Sequence, residues 1–124
     1  MSQSIMDLVA QAKAVVPAIS AEETLELMAR GDVLVVDVRD GDEVAASGKV
    51  AGAINVSRGM IEFRADETTP FHDKAFSKSK TVILYCASGG RSALAGKALL
   101  DIGYSDVRNL GGFKDWSEAG HPTE

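Results

Sequence analysis

Two short stretches constrain this chain most: "VLVVDV" at residues 33–38 and "TVILYC" at residues 81–86. A strand with one wet face alternates apolar and polar side chains. These two do not alternate; Val33 to Val36 and Val82 to Tyr85 run without a charged or amide side chain. Strands of that kind bury both faces, as in a parallel sheet covered by helices. The segments around them carry helical patterns, so strands alternate with helices and the fold class is α/β with a central, mainly parallel sheet. In such sheets ligands bind outside the carboxyl ends of the strands. Cys86, the only cysteine in the chain, stands at such an end.

The other elements follow from punctuation. Ile5, Leu8, Val9, Ala12, Val15 and Val16 recur at helical spacing until Pro17, which predicts an amphipathic helix over residues 1–16 ahead of one domain over 17–122. Its apolar stripe is expected to pack on the chain's own domain rather than on a partner. Ser20 has the form of an N-cap with Glu23 as the second half of a capping box; Leu25, Leu27 and Met28 give that helix its apolar side, and Gly31 closes it. A helical turn is expected over 41–47, a strand over "AGAINV" at 51–56, and short helices with a long surface connection over 57–79. "RSALAGKALLDIGY" predicts a helix stopped by Gly103, "DVRNL" a last strand, and "GGFKDWSEAG" a last helix that turns Phe113 and Trp116 to one core face.

Composition removes several classes of function. The chain has 124 residues, one domain by length, and is long enough to bury a core without disulfides. A net charge of −5 argues against general affinity for nucleic acid or an anionic membrane. One cysteine excludes an internal disulfide and a cysteine-based zinc cluster, and no histidine accompanies Asp42 and Glu43, so no metal is expected. Lys97 does not belong to a P-loop and no dinucleotide fingerprint is present, so no cofactor is expected. No apolar run approaches the roughly 20 residues of a membrane span. "MSQSIMDLVAQAK" lacks the basic start and apolar core of an export signal. A free thiol without such a signal points to the cytoplasm.

The segment after Cys86 reads Ala87, Ser88, Gly89, Gly90, Arg91 and Ser92, with a helix starting near Arg91. Small residues let a loop curl until successive N–H groups point inward as an anion nest, and glycine allows the positive φ that curling needs. The helix adds its positive dipole end, and Arg91 a full charge with forked donors. All three favour thiolate over thiol. Sites of this kind lower a cysteine pKa from about 8.5 to roughly 3.5–7.5. The alternative is a buried structural cysteine, the commoner fate of a lone cysteine in a strand. The loop, the arginine and the helix start favour a nucleophile.

Four motifs in order, "VVDVRDGDE" at 35–43, "GKVAGAINV" at 48–56, "ILYCASGGRS" at 83–92 and "VRNLGGFKDW" at 107–116, resemble the rhodanese-like domain of the single-domain sulfurtransferase type. The resemblance spans roughly residues 17–120. It implies a three-layer fold with the sheet between helices, and a sulfane-sulfur transferase. Cys86 would take sulfur from thiosulfate or a related persulfide donor, form a persulfide, and pass it to cyanide or a thiol. Without a second cysteine the acceptor must be external, a small molecule or a sulfur-acceptor protein. Residues 87–92 would bind the donor, with Arg91 orienting its anion. Arg58, just past the "AGAINV" strand, is a further candidate for adding positive potential. The resemblance also implies structural roles for Asp37 and Arg39, the arginine pairing with an acid such as Glu43. Lys49 stands where the family usually has histidine, a position expected to be structural. His72 and His121 are expected at the surface.

Two rivals remain open. Related phosphatases and arsenate reductases place five residues between cysteine and arginine; here there are four, with Ser92 at the phosphatase position. A module that binds a partner or merely carries sulfur is the other. The sequence leaves oligomeric state and the physiological donor and acceptor undetermined.

Overall fold

The computed structural model describes residues 2–124, so residue 1 of the N-terminal segment lies outside the described residues. Among the described residues six α-helices and four strands follow in the order α1 (Ile5–Val15), α2 (Ala21–Arg30), β1 (Val33–Asp37), α3 (Gly41–Ser47), β2 (Ile54–Asn55), α4 (Ile61–Ala65), β3 (Thr81–Cys86), α5 (Gly90–Asp101), β4 (Val107–Gly112) and α6 (Phe113–Glu118), with one short 3-10 turn over Arg58–Met60. The strands form one parallel sheet in the order β2-β1-β3-β4, with β1 and β3 paired along their whole length at its centre.

Both central strands are buried on both faces, as their unbroken apolar runs require. Residue parity then sorts the core. Leu34, Val36, Val82, Leu84 and Cys86 face one layer with Ile61, Ala65, Ala95 and Leu99 of α4 and α5. Val35, Ile83 and Tyr85 face the other with Phe113 and Trp116 of α6 and the apolar side of α2, Leu25, Leu27 and Met28. Cys86 therefore ends its strand on the face that α5 covers. Outside α5, α1 lays Val9 beside Gly90 and Val16 beside Gly96, burying Val9, Ala12 and Val16. Ile5, Leu8 and Val15 on the same helix stay exposed.

Three expectations are corrected. The strand expected over 51–56 is only Ile54–Asn55, because Val50 bridges antiparallel to Thr123 and Gly52 turns the chain with φ +86° before the sheet is reached. The Ser20 capping box is half formed: Ser20 Oγ accepts the Glu23 N–H at 3.1 Å, but the Glu23 carboxylate takes the Ser20 hydroxyl instead of its backbone N–H. Arg39 does not pair with Glu43. It pairs with Asp37 two residues earlier, through Nη2 at 2.6 Å and Nε at 3.0 Å. Strand β1 ends there, and the turn folds the guanidinium back over the carboxylate.

The Asp37–Arg39 pair is 0% and 4% exposed, so its polar atoms need partners inside the protein. Arg39 Nη1 donates to Ser47 Oγ and Nη2 to the Gly48 carbonyl, both at 2.8 Å. Its guanidinium carbon lies 4.5 Å from the Phe113 ring centroid. The pair thereby ties the end of β1 to the end of α3 and to α6. Lys49 sits just beyond and holds the carboxyl-terminal segment, donating to the Ala53 carbonyl and pairing with the Glu124 carboxylate. Replacing Arg39 with Met strands a buried Asp37 carboxylate. Arg39→Met should cost about 3–5 kcal/mol in urea unfolding. A loss under 1 kcal/mol would mean the pair contributes nothing to holding these elements.

Candidate active site

Strand β3 delivers Cys86 to the carboxyl edge of the sheet, and the chain then has three residues, 87–89, before α5 carries it away. The reversal happens at Gly89, whose φ of +102° belongs to the left-handed region and whose added Cβ would stand 3.4 Å from Gly111 Cα. The neighbouring strand must also come close. A Cβ on Gly112 would lie 2.5 Å from the Ala87 carbonyl oxygen, so only glycine lets β4 pass the start of the loop. The glycine pair "GG" thus shapes the cradle before it leads into α6.

The curled loop closes over the sulfur. Cys86 is 1% exposed. The Gly89 N–H donates to Sγ at 3.0 Å, and Ser92 Oγ lies 3.5 Å from it. Burial pushes the thiol pKa up. The Ser92 hydroxyl and the backbone N–H groups of Ser92, Ser88 and Gly89 push it down more strongly, and the net effect is downward. The hydrogen-bonding groups at the sulfur are therefore the Gly89 N–H and the Ser92 hydroxyl, with the Ser88 and Ser92 N–H groups adding to the downward pull. Ala87 packs its carbonyl on Gly112, while Gly90 opens α5 next to Val9.

Arg91 is turned outward. Its Nη1 and Nη2 donate to Glu43 Oε1 and Oε2 at 2.6 and 3.0 Å, a bidentate fork across 48 residues of chain. The Arg91 guanidinium, then the Asp40 N–H, hold the Glu43 carboxyl down at about 2. Arg91 is pushed up in turn, chiefly by Glu43 and more weakly by the thiolate form of Cys86, which places its charge within reach of the sulfur's field. The pair's contribution to stability is complete above the ordinary glutamate pKa of 4.5 and is lost as pH falls toward 2. Both side chains are more than a third exposed, so that contribution is small.

Arg58 follows β2 and donates its N–H to the Val38 carbonyl. Its guanidinium is taken by Glu62 at 2.9 Å, and it makes no hydrogen bond to the loop. Two cavities meet the loop. One of about 320 Å³ is walled by Ala87, Arg39, Ser47, Phe113 and Lys114. The other, of about 280 Å³, lies between Ser88 and Gly89 on one side and Lys13 and Val16 on the other. His121 stacks against Trp116 with ring centroids 4.9 Å apart, and His72 lies in the 57–79 connection, away from the loop.

One residue of the site carried no signal in the sequence. Asn109 on β4 accepts the Ser92 hydroxyl at 2.7 Å and donates to the Gly89 carbonyl at 3.1 Å. It stands in a motif otherwise read as strand and turn, and only the pairing of β4 with β3 brings it beneath the loop.

A parallel α/β sheet that cradles one cysteine in backbone N–H groups, at the mouth of a strand-to-helix turn, is the class that fold and site define. The chain belongs to the rhodanese-like domain family, whose model matches residues 20–119. It is 33% identical over 106 residues to thiosulfate sulfurtransferase GlpE of Coxiella burnetii, covering 85% of this chain and 90% of that protein. It is 28% identical over 109 residues to human thiosulfate:glutathione sulfurtransferase, covering 82% of this chain and 94% of that protein. Among solved structures, a protein of unknown function from Rhodopseudomonas palustris, described as a possible tyrosine phosphatase, superposes with a TM-score of 0.91. It is 34% identical and covers all of this chain and 96% of its own.

The Ser92 hydroxyl is the group that opposes burial most strongly at the sulfur. Ser92→Ala should move the pH midpoint of Cys86 alkylation by iodoacetamide upward from its wild-type position. A midpoint that stays in place would leave the N–H groups as the only donors that matter.

Proposed function

We propose that this protein is a sulfurtransferase that moves sulfane sulfur through a Cys86 persulfide. The observation that carries the proposal is one buried sulfur that accepts the Gly89 N–H at 3.0 Å and has the Ser92 hydroxyl 3.5 Å away. A persulfide anion needs that environment as much as a thiolate does. The Cys86 thiolate attacks the outer sulfur of thiosulfate. A new S–S bond forms, the thiosulfate S–S bond breaks, and sulfite leaves with the electron pair. A nucleophilic acceptor, cyanide or a thiol, then attacks the outer persulfide sulfur, and the Cys86 thiolate is the leaving group. The relatives named above are a thiosulfate sulfurtransferase and a thiosulfate:glutathione sulfurtransferase, which supports both the donor and a thiol acceptor here.

Residues 87–92 form the donor site in this reading, and the cavity at Ala87, with Lys114 on its wall, is the approach. Arg91 orients anionic donors with the guanidinium N–H groups that Glu43 leaves free. A protein acceptor can serve in place of a small thiol, since Cys86 has no second cysteine in the chain to resolve its persulfide. A thiol that must stay reduced between turnovers fits a cytoplasmic setting. Among the described residues no helix is long and apolar enough to cross a membrane.

The phosphatase reading has the description of the R. palustris structure in its favour. Loop size opposes it. Four residues between Cys86 and Arg91 give fewer inward N–H groups than five, and the arginine that would clamp a phosphate is engaged by Glu43.

Intact mass after incubation with thiosulfate tests the chemistry. The wild type should gain one sulfur atom, lose it on adding cyanide, and Cys86→Ser should gain none. A gain in Cys86→Ser, or none in the wild type with thiosulfate and glutathione persulfide alike, would overturn the proposal. Arg91→Ala should raise KM for thiosulfate and leave kcat largely intact, the pattern of a lost binding contact. Glu43→Gln, which releases the guanidinium, should lower that KM. If neither variant moves KM, Arg91 has no part in holding the donor.

A further inference from the structure

Ser92 is fully buried, and its hydroxyl has one proton with two acceptors in reach. It donates to Asn109 Oδ1 at 2.7 Å and lies 3.5 Å from Cys86 Sγ. One proton cannot serve both. With Cys86 as a thiol, its own S–H points to the Ser92 oxygen and Ser92 donates to Asn109. With Cys86 as a thiolate or persulfide, the sulfur is an acceptor only, and the Ser92 proton must turn toward it. The proton lost by Cys86 leaves to solvent; the Ser92 proton rotates about its C–O bond and stays on oxygen.

Asn109 is built to permit that rotation. Its Oδ1 also accepts the Gly111 N–H at 3.0 Å, so it keeps a partner when Ser92 turns away. Its Nδ2 donates to the Gly89 carbonyl at 3.1 Å. A backbone N–H on one side and a backbone C=O on the other fix which end of the amide is which. The side chain thus meets both residues that hydrogen-bond the sulfur, Ser92 at its hydroxyl and Gly89 at its carbonyl. The Asn109 backbone is itself pinned, donating to the Pro17 carbonyl at 2.8 Å and accepting from the Ile19 N–H at 3.1 Å.

We infer that Asn109 is a positioning residue for the Cys86 reaction: it competes with the sulfur for the Ser92 proton, and so sets how readily the sulfur becomes and remains an anion. It rests on the sulfur-transfer reading for its role in turnover, but it acts on the thiol alone and can be read there. Asn109 acts on the sulfur through Ser92 and Gly89, with no hydrogen bond of its own to Cys86.

Two near-isosteric variants move the competition in opposite directions. Asn109→Asp keeps the acceptor, strengthens its hold on Ser92 and adds negative charge near the sulfur. Asn109→Leu removes the acceptor and leaves the Ser92 proton to Cys86. Alkylation rates with iodoacetamide across pH, on the full chain, should show the midpoint rising in Asn109→Asp and falling in Asn109→Leu. An upward move of one pH unit is about a tenfold slower alkylation below the midpoint. In a Ser92→Ala background the Asn109→Leu effect should vanish, because no hydroxyl is left to redirect. General loosening of the loop would move both variants the same way. Shifts of one sign, no shift in Asn109→Asp, or an Asn109→Leu effect that survives Ser92→Ala would each overturn the inference. If the wild type takes up no sulfur while the two variants still shift oppositely, the positioning role stands for the thiol and the sulfur-transfer reading is the one that fails.

Discussion

Everything at this site depends on donors outnumbering desolvation at one buried sulfur. Burial alone would keep Cys86 a neutral, inert thiol, since removing an anion from water is costly. A hydrogen bond to a charged group returns about 1.5–3 kcal/mol. One such bond would leave the balance in doubt. The Gly89 N–H on the sulfur and the Ser92 hydroxyl beside it, helped by the N–H groups of Ser88 and Ser92, tip it toward the anion despite 1% exposure. The N–H donor on the sulfur belongs to a loop three residues long, so its geometry rests on the turn at Gly89 and the close passage of Gly112, while the hydroxyl comes from Ser92 on α5. Burial then has a second consequence. It keeps water from the sulfur, where a persulfide would otherwise meet competing nucleophiles.

The charge of Arg91 plays a different part from that of the N–H groups. It does not touch the sulfur; it is clamped to Glu43 at the mouth of the loop. An exposed pair of this kind contributes about 0–1 kcal/mol to stability, so its importance is in placement. It joins α3 to α5, and α3 is in turn held by the buried Asp37–Arg39 pair through Ser47 and Gly48. Two ion pairs in series therefore connect the end of β1 to the end of β3, the two central strands whose carboxyl edge carries the site. An incoming anion meets a guanidinium already half neutralised.

What could be read from the sequence was whatever local chemistry decides. β1 and β3 announced themselves because a strand buried on both faces has no alternative to an unbroken apolar run. The loop was visible because curling demands small residues. What escaped was whatever the packing decides. "AGAINV" has the composition of a full strand, yet the chain bridges to Thr123 at Val50 just before it and turns at Ala51–Gly52, which keeps its first half out of the sheet. Arg39 was matched with the wrong acid. Asp37 and Glu43 are both a few residues away, and only the turn after β1 shows which carboxylate lies under the guanidinium.

Asn109 marks the sharpest form of that boundary. Nothing in "VRNLGG" distinguishes an asparagine that faces solvent from one that holds the cysteine loop, because its partners are 17 and 20 residues earlier in the chain. Parallel pairing of β4 with β3 sets Asn109 opposite Leu84, two residues short of Cys86, and the register shift after Leu84 carries Gly111 and Gly112 past the loop. Had β4 slipped by one residue, the amide would point to the opposite layer and Leu110 would face Ser92. The polar core of the site is thus specified by strand register. Register is in turn held by the buried apolar residues of β3 and β4, Val82, Leu84 and Val107, which take no part in the chemistry.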